Sequence, residues 1–292
     1  LLHNNFSREN AEMKNVTKAW SFLAILSLGF IIVGHMLLER EGLLFGLMLA
    51  LSINCYVYFY EDRRILSLFR SQLLEGRDPW GLTQINQRLA EKAKIPAPRI
   101  VIVPDPSPQS LVVGHSLTKG TILITEGLLE KLSQKEIEAV IAYQMATIKT
   151  LNILIFAVGS FICSIFLFIA EALDTGLRLL IVEKKNPNYA LSHIFTRLVS
   201  PFVGLLLRLC IRPQFYVTAD SLAAHWLGDG KVLAEVLYKL QSYSATRPFA
   251  APLSTSHMFV VNPLPLKGWT RHYQAQPSIE KRISSLIGYY PI

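Results

Sequence analysis

Metal-assisted and acid–base chemistry begins with imidazoles, carboxylates and thiolates at set spacings. The seven histidines of this chain, His3, His35, His115, His193, His225, His257 and His272, include no pair four residues apart. Two imidazoles at i and i+4 would share one helix face and hold zinc with a third donor, whereas dispersed histidines read as satisfied or surface groups. Cys55, Cys163 and Cys210 all fall inside apolar runs with no C-x-x-C spacing, where a free thiol behaves as a small hydrophobe. Neither a disulfide nor a metal site is expected from these residues, and no cofactor.

The elements that would position any chemistry are mostly apolar. The chain has 292 residues, 51% hydrophobic and 17% charged, too little polar surface for an ordinary soluble globule and too much Leu, Ile, Val and Phe for a disordered or collagen-like chain. A membrane protein is the class that remains. The net charge of +8 is scattered, with 12 basic and 10 acidic side chains between residues 61 and 151. Nucleic-acid binding needs a clustered basic footprint and is not expected; anionic lipid headgroups are the better counter-charge.

Ala19 to Leu38 is an uncharged run bounded by Lys18 and Glu39-Arg40-Glu41, long enough to cross about 30 Å of hydrocarbon. Leu43 to Tyr60 follows and ends in Tyr56, Tyr58, Phe59 and Tyr60, an aromatic belt suited to the headgroup level. The two predict a helical hairpin. Asn152 to Ala172 is a third candidate span, and Ile194 to Ile211 a shorter fourth with Arg197, Arg208 and Pro201. Basic residues after the second span, Arg63, Arg64, Arg70 and Arg77, outnumber the single Arg40 of the hairpin loop, which places both termini and the soluble parts in the cytoplasm. Residues 173 to 193, with Arg178, Lys184 and Lys185, are expected to form an interfacial helix or to belong to segments that never fully cross.

Between the second and third spans the pattern predicts a helix over Pro79 to Ala93. Short β-branched runs at Arg99–Val103, Leu111–Val113 and Thr121–Thr125 come next. Ser133 and Glu136 form a capping box for a helix with one apolar stripe from Ile137 to Ile148. Helices over Ala219–Trp226, Lys231–Tyr243 and Pro277–Ile287 complete the chain.

The capped helix Ser133–Lys149 resembles the catalytic helix of HtpX-type membrane zinc metalloproteases, a gluzincin family with a likeness to CAAX prenyl proteases. Pro108-Gln109-Ser110-Leu111-Val112-Val113-Gly114 is similar to the strand of that family that precedes the helix, as is Thr125-Glu126-Gly127-Leu128-Leu129. Ala219-Asp220 and Gln276-Pro277-Ser278-Ile279-Glu280-Lys281-Arg282-Ile283 follow in the same order after two interrupting spans. The resemblance implies an α+β fold: a polytopic helical membrane protein of about four spans with a mainly helical, gluzincin-like cytoplasmic domain containing a small sheet. Residues 1–60 would be the flank and first hairpin, 61–151 and 212–292 the two parts of the domain, and 152–211 the second hairpin. It also implies a bacterial inner membrane.

The family's H-E-x-x-H falls on Tyr143, Gln144 and Thr147, its distant Glu on Tyr216, and a further His on Gln276. Phenols, a Thr hydroxyl and an amide lack the donors that hold zinc and the base that activates water. The expectation is therefore a chain that is not an enzyme, with no metal. It would serve as a binding, scaffold or regulatory subunit among other membrane-protein subunits. Tyr143 and Tyr216 would plug the emptied site, and Asp220 would keep a structural hydrogen bond. Leu111, Val112 and Val113 are the candidate edge strand for an extended peptide segment, and His115 is the one histidine placed near that groove. Two alternatives are a membrane metallopeptidase using an unrecognised site and a transport or channel component, the latter on the thin ground of His35 and Glu171.

Overall fold

The computed structural model describes residues 2–69, 72–73, 78–181, 193–264 and 268–289. It opens on α1 (Leu2–Ser67), one helix by its hydrogen bonds but broken at Leu38 and Glu39, where Glu39 has φ 48° and ψ −123°. The break turns the apolar stretch Ala19–Ser67 back on itself into two antiparallel arms. Glycines set how closely they approach: a Cβ on Gly46 would stand 2.5 Å from the Phe30 carbonyl oxygen, and one on Gly42 would strike the carbonyl of Gly34. Asn54 donates to Ser27 Oγ across the arms at 2.9 Å, and Trp20 stacks on Tyr58 at 6.2 Å, so aromatic rings of both arms lie at one level. The predicted hairpin is present. Its second arm continues past Tyr60 as unbroken helix to Ser67.

The small sheet contains β1 (Gln72–Leu73), β2 (Arg99–Val103), β3 (Ser110–Gly114) and β4 (Gly120–Thr125) in the order β1-β2-β4-β3. β2 and β4 run parallel, and β3 pairs antiparallel with β4 in the register Leu111↔Leu123. β1 has no counterpart among the predicted strands. Between β1 and β2 lies α2 (Leu82–Ala93), which begins three residues later than predicted. Gly81 is left-handed at φ 67°, and the Asp78 carboxylate takes the amides of Leu82 and Thr83 at 3.0 and 2.7 Å, so the first free helix donors are satisfied only there.

After α3 (Glu126–Lys131) comes α4 (Gln134–Lys149), started by the capping box. Glu136 Oε2 accepts from the Ser133 amide at 2.8 Å, and its other oxygen holds Lys239 at 2.5 Å. Every residue of α4 from Ala139 to Ile148 is buried, which makes this helix the spine of the soluble part. α5 (Asn152–Ile181) and α6 (Ile194–Cys210) form the second hairpin. α5 runs through residues 173–181, where an interfacial helix was predicted; Lys184 and Lys185 lie outside the described residues. α6, shorter and with Pro201 inside, reaches a spanning length only together with α7 (Pro213–Leu227), across a 49° bend. α8 (Gly230–Thr246), two 3₁₀ turns at Leu253–Met258 and Gly268–Tyr273, and α9 (Ile279–Ile287) complete the fold.

The second hairpin is tied at its far end by one side chain. Asp174 of α5 is fully buried and accepts from the amides of Phe195 and Thr196, at 2.8 and 3.0 Å, and from the Thr196 hydroxyl at 2.7 Å. A carboxylate there satisfies amides that the start of α6 leaves open and opposes the helix dipole. Replacing Asp174 with Ala is expected to cost about 2 kcal/mol, seen as a lowered Tm of the purified protein in detergent; an unchanged Tm would show that the cap contributes nothing.

Candidate functional site

Four elements meet at one buried cluster. α4 supplies Tyr143, Gln144 and Thr147; α7 supplies Tyr216 and, one turn on, Asp220; α9 supplies Arg282; and the segment after the first 3₁₀ turn supplies the main chain of Phe259 and Val260. Arg282 follows Ile279 by three residues on the buried face of α9, so a charge is carried into the core by an otherwise apolar stripe. It is fully buried, as is Asp220. Arg282 Nε and Nη2 donate to the two Asp220 oxygens at 2.8 and 2.7 Å, and Nη1 donates to the Val260 carbonyl at 2.5 Å. The guanidinium carbon lies 4.9 Å from the Tyr143 ring centroid and 5.9 Å from that of Tyr216. A cation between two aromatic faces and a bidentate carboxylate is neutralised and bonded at once, the condition under which a buried charge is tolerated.

Tyr143 and Tyr216 thus lie on either side of Arg282, a residue to which the sequence assigned no role. The Tyr216 hydroxyl donates to the His257 carbonyl at 2.7 Å, and its ring stacks on Phe156 at 5.5 Å. Thr147 donates back to the Tyr143 carbonyl at 3.1 Å within its own helix. Gln144 faces the sheet, where its amide nitrogen donates to Ser110 Oγ at 3.1 Å and its Oε1 has no partner among the described residues. Asp220 keeps the structural role expected of it.

The histidine beside this cluster is His257, not His115. His115 sits beyond the end of β3, paired with Asp62 of α1 at 2.9 Å. His257 is fully buried; its Nε2 lies 3.0 Å from the Phe156 carbonyl and so carries the proton, leaving Nδ1 as an unpartnered acceptor. Burial pushes its pKa down to about 4, against the smaller upward pull of that carbonyl.

A zinc ion held from α4 would need imidazole or carboxylate donors at Tyr143, Thr147 and Tyr216, and these residues do not fit it. Burial pushes the Tyr143 phenol up to about 12, so a phenolate ligand is out of reach near neutral pH. Both other hydroxyls are committed as donors to carbonyls. The Arg282 guanidinium already supplies the positive charge. Among the described residues no three His, Cys, Asp or Glu side chains gather as a metal site.

The candidate edge strand is at the sheet's edge, but its open side is partly covered. Leu111, Val112 and Val113 are fully buried. Leu111 makes an antiparallel bridge to Phe259, and the Val260 amide donates to the Ser110 carbonyl at 3.0 Å. Gln276 clamps the same segment from its far side, donating to the Phe259 carbonyl at 2.7 Å and accepting from the Asn262 amide at 3.0 Å. A strand that looks open by composition is thus covered by a segment about 150 residues downstream; neither Gln276 nor Phe259 carries a local signal of that.

A buried helix bearing Tyr143, Gln144 and Thr147, a partner helix with Asp220 one turn after Tyr216, and a sheet edge beside α4 make up the layout to be compared with known proteins. The profile of peptidase family M48 matches residues 78–289, and the chain belongs to that family. It is similar to the protease HtpX homologue of Desulfatibacillum aliphaticivorans, 28% identical over 282 residues that cover 96% of this chain and 91% of that one. The protease HtpX homologue of Pelotomaculum thermopropionicum is likewise 28% identical, over 275 residues, 93% of this chain and 98% of the relative. In fold it is similar to the crystal structure of S. mikatae Ste24p, with a TM-score of 0.51 and 16% identity across 95% of this chain and 67% of that one.

The expectation that the chain is not an enzyme is overturned by these relatives. It rested on four positions, whereas the family and the similarity along almost the whole chain to proteins named as proteases point to a protease. What the geometry establishes is narrower: those four positions do not make a zinc site.

Two measurements follow from this cluster. Purified protein is expected to hold well under one zinc per chain by elemental analysis, and EDTA to leave Tm unchanged, since no metal bond is part of the folding energy; stoichiometric zinc with a chelator-sensitive Tm would overturn the donor argument. His257 is neutral in the folded state down to about pH 4 and protonates near 6.5 when unfolded. Its stabilising contribution is therefore present above pH 6.5 and is lost as pH falls toward 4, by about 3 kcal/mol. A Tm profile over that range should be flatter in His257→Gln.

Proposed function

We propose that this chain binds extended polypeptide at the open side of β3, and serves as a binding or regulatory subunit of a membrane-protein assembly within the M48 family. One observation carries the reading. In the β3–β4 register Leu111 and Val113 face β4, so the amides and carbonyls of Ser110 and Val112 point the other way. The Ser110 carbonyl is taken by Val260, and the single bridge Leu111↔Phe259 engages the Val112 amide with the same covering segment, so among the described residues the cover is one bridge long on a five-residue strand. A single bridge is a short cover for such a strand, and an added strand in place of residues 259–260 would extend the ladder along it. Peptide-bond hydrolysis, the activity to which the relatives point, would draw on groups other than Tyr143, Gln144, Thr147 and Tyr216. A bacterial inner-membrane location with the soluble part in the cytoplasm is part of the proposal, supported by Arg63 and Arg64 after the second arm against Arg40 at the turn.

Fluorescent reduced casein, titrated into the full chain in detergent with anisotropy readout, tests the binding. Val112→Pro removes the outward amide without touching the β3–β4 ladder and should weaken binding about fivefold. Val260→Pro removes the covering bond and should strengthen it. Equal affinity of wild type and both variants, each shown folded by circular dichroism, would exclude β3 as the binding surface.

A further inference from the structure

His115 stands where two cavities meet at the level of the aromatic rings, and they differ in chemistry. One, of about 350 Å³, is lined by Arg63, Arg99, Lys119 and His115, with Asp62 as its one carboxylate. The other, of about 380 Å³, is lined by Trp20, Tyr58, Leu117, Leu151 and Leu154; His115 and Thr118 line both. Asp62 Oδ2 lies 2.9 Å from His115 Nδ1, its other oxygen has no partner among the described residues, and the His115 ring lies 4.7 Å from that of Tyr58. Among the described residues, Arg63, Arg99 and Lys119 have no carboxylate partner; Arg63 only leans over Tyr60, at 5.9 Å. Three cations against one carboxylate on this wall, continuous with an apolar groove beside a membrane hairpin, match a molecule that is anionic at one end and hydrocarbon at the other.

The height of the site fits as well. Trp20 and Tyr58 stack across the two arms, and Tyr56, Phe59 and Tyr60 continue the ring on the second arm, which is where interfacial aromatics meet headgroups. Asp62 and Arg63 come one turn later on the same unbroken helix, so the basic cavity opens just on the aqueous side of that level and the apolar one just on the lipid side.

We propose that an anionic glycerophospholipid binds here, its phosphate held by Arg99, Lys119 and Arg63 and one acyl chain laid along Trp20, Leu117 and Leu154. Basic residues near a membrane surface each favour anionic lipid, so losing two should weaken binding about thirtyfold. Arg99 and Lys119 are both exposed, and changing them to Gln leaves the core intact.

The test uses the full chain in neutral detergent, with bound lipid counted by native mass spectrometry and Tm followed on titration. Dioleoyl-phosphatidylglycerol, dioleoyl-phosphatidylcholine and inorganic phosphate are the three probes. The expected result is one phosphatidylglycerol retained per chain with a raised Tm, a much smaller response to phosphatidylcholine, and none to phosphate at equal concentration. Arg99→Gln/Lys119→Gln should lose the phosphatidylglycerol response about thirtyfold, with Lys119→Gln alone intermediate, and Trp20→Ala should weaken retention of the lipid with both cations in place. Equal retention of the two lipids, or an undiminished response in the double variant, would overturn the site. A full Tm shift with inorganic phosphate alone would overturn the lipid and leave a free anion as the ligand.

Discussion

The buried pair between Arg282 and Asp220 is the constraint from which the soluble part takes its shape. It joins the last helix to α7, fixes the Val260 main chain through a third bond, and sets both tyrosine rings by placing a cation between them. Removing either partner would leave an uncompensated charge in the core, typically at a cost of about 3–5 kcal/mol. The packing of α4 against α7 and the position of the segment covering β3 both depend on a pair whose members lie 62 residues apart.

That pair also explains how Tyr143 and Tyr216 are held in the core. Two phenols around a guanidinium form a filled, fully bonded layer, with Tyr216 anchored to His257 and Phe156. Gln144 is turned away from this layer toward Ser110, so this side chain of α4 belongs to the sheet. α4, α7, α9 and the segment covering β3 are thus joined by polar bonds as well as by apolar packing.

Much of this was legible in the sequence. β2 falls where its β-branched run predicts, α4 begins at its capping box, and the hairpin turns where Glu39-Arg40-Glu41 interrupts the apolar run. Less legible were features set by distant partners. Arg282 reads as a surface charge until Ile279 and Ile283 are seen to bury its face. Leu111–Val113 reads as an open edge because Phe259 and Gln276 lie far along the chain. The late start of α2 was readable, since Asp78 and Gly81 carry their own start signal, but Pro79 suggested an earlier first turn.

The second arm of α1 has a mechanical side. It leaves the aromatic level and reaches Ser67 with no break, and Arg64 on it bonds Glu61 beside it and Ser164 of α5, the latter at 3.0 Å. A helix without a hinge is a lever. When a thinner or thicker bilayer makes the hairpin change its tilt to match the hydrocarbon, the rotation reaches residues 61–67 undiminished and is shared with α5 through Arg64. Any change of tilt in the first hairpin would thus be felt by the second through one rigid rod and one guanidinium.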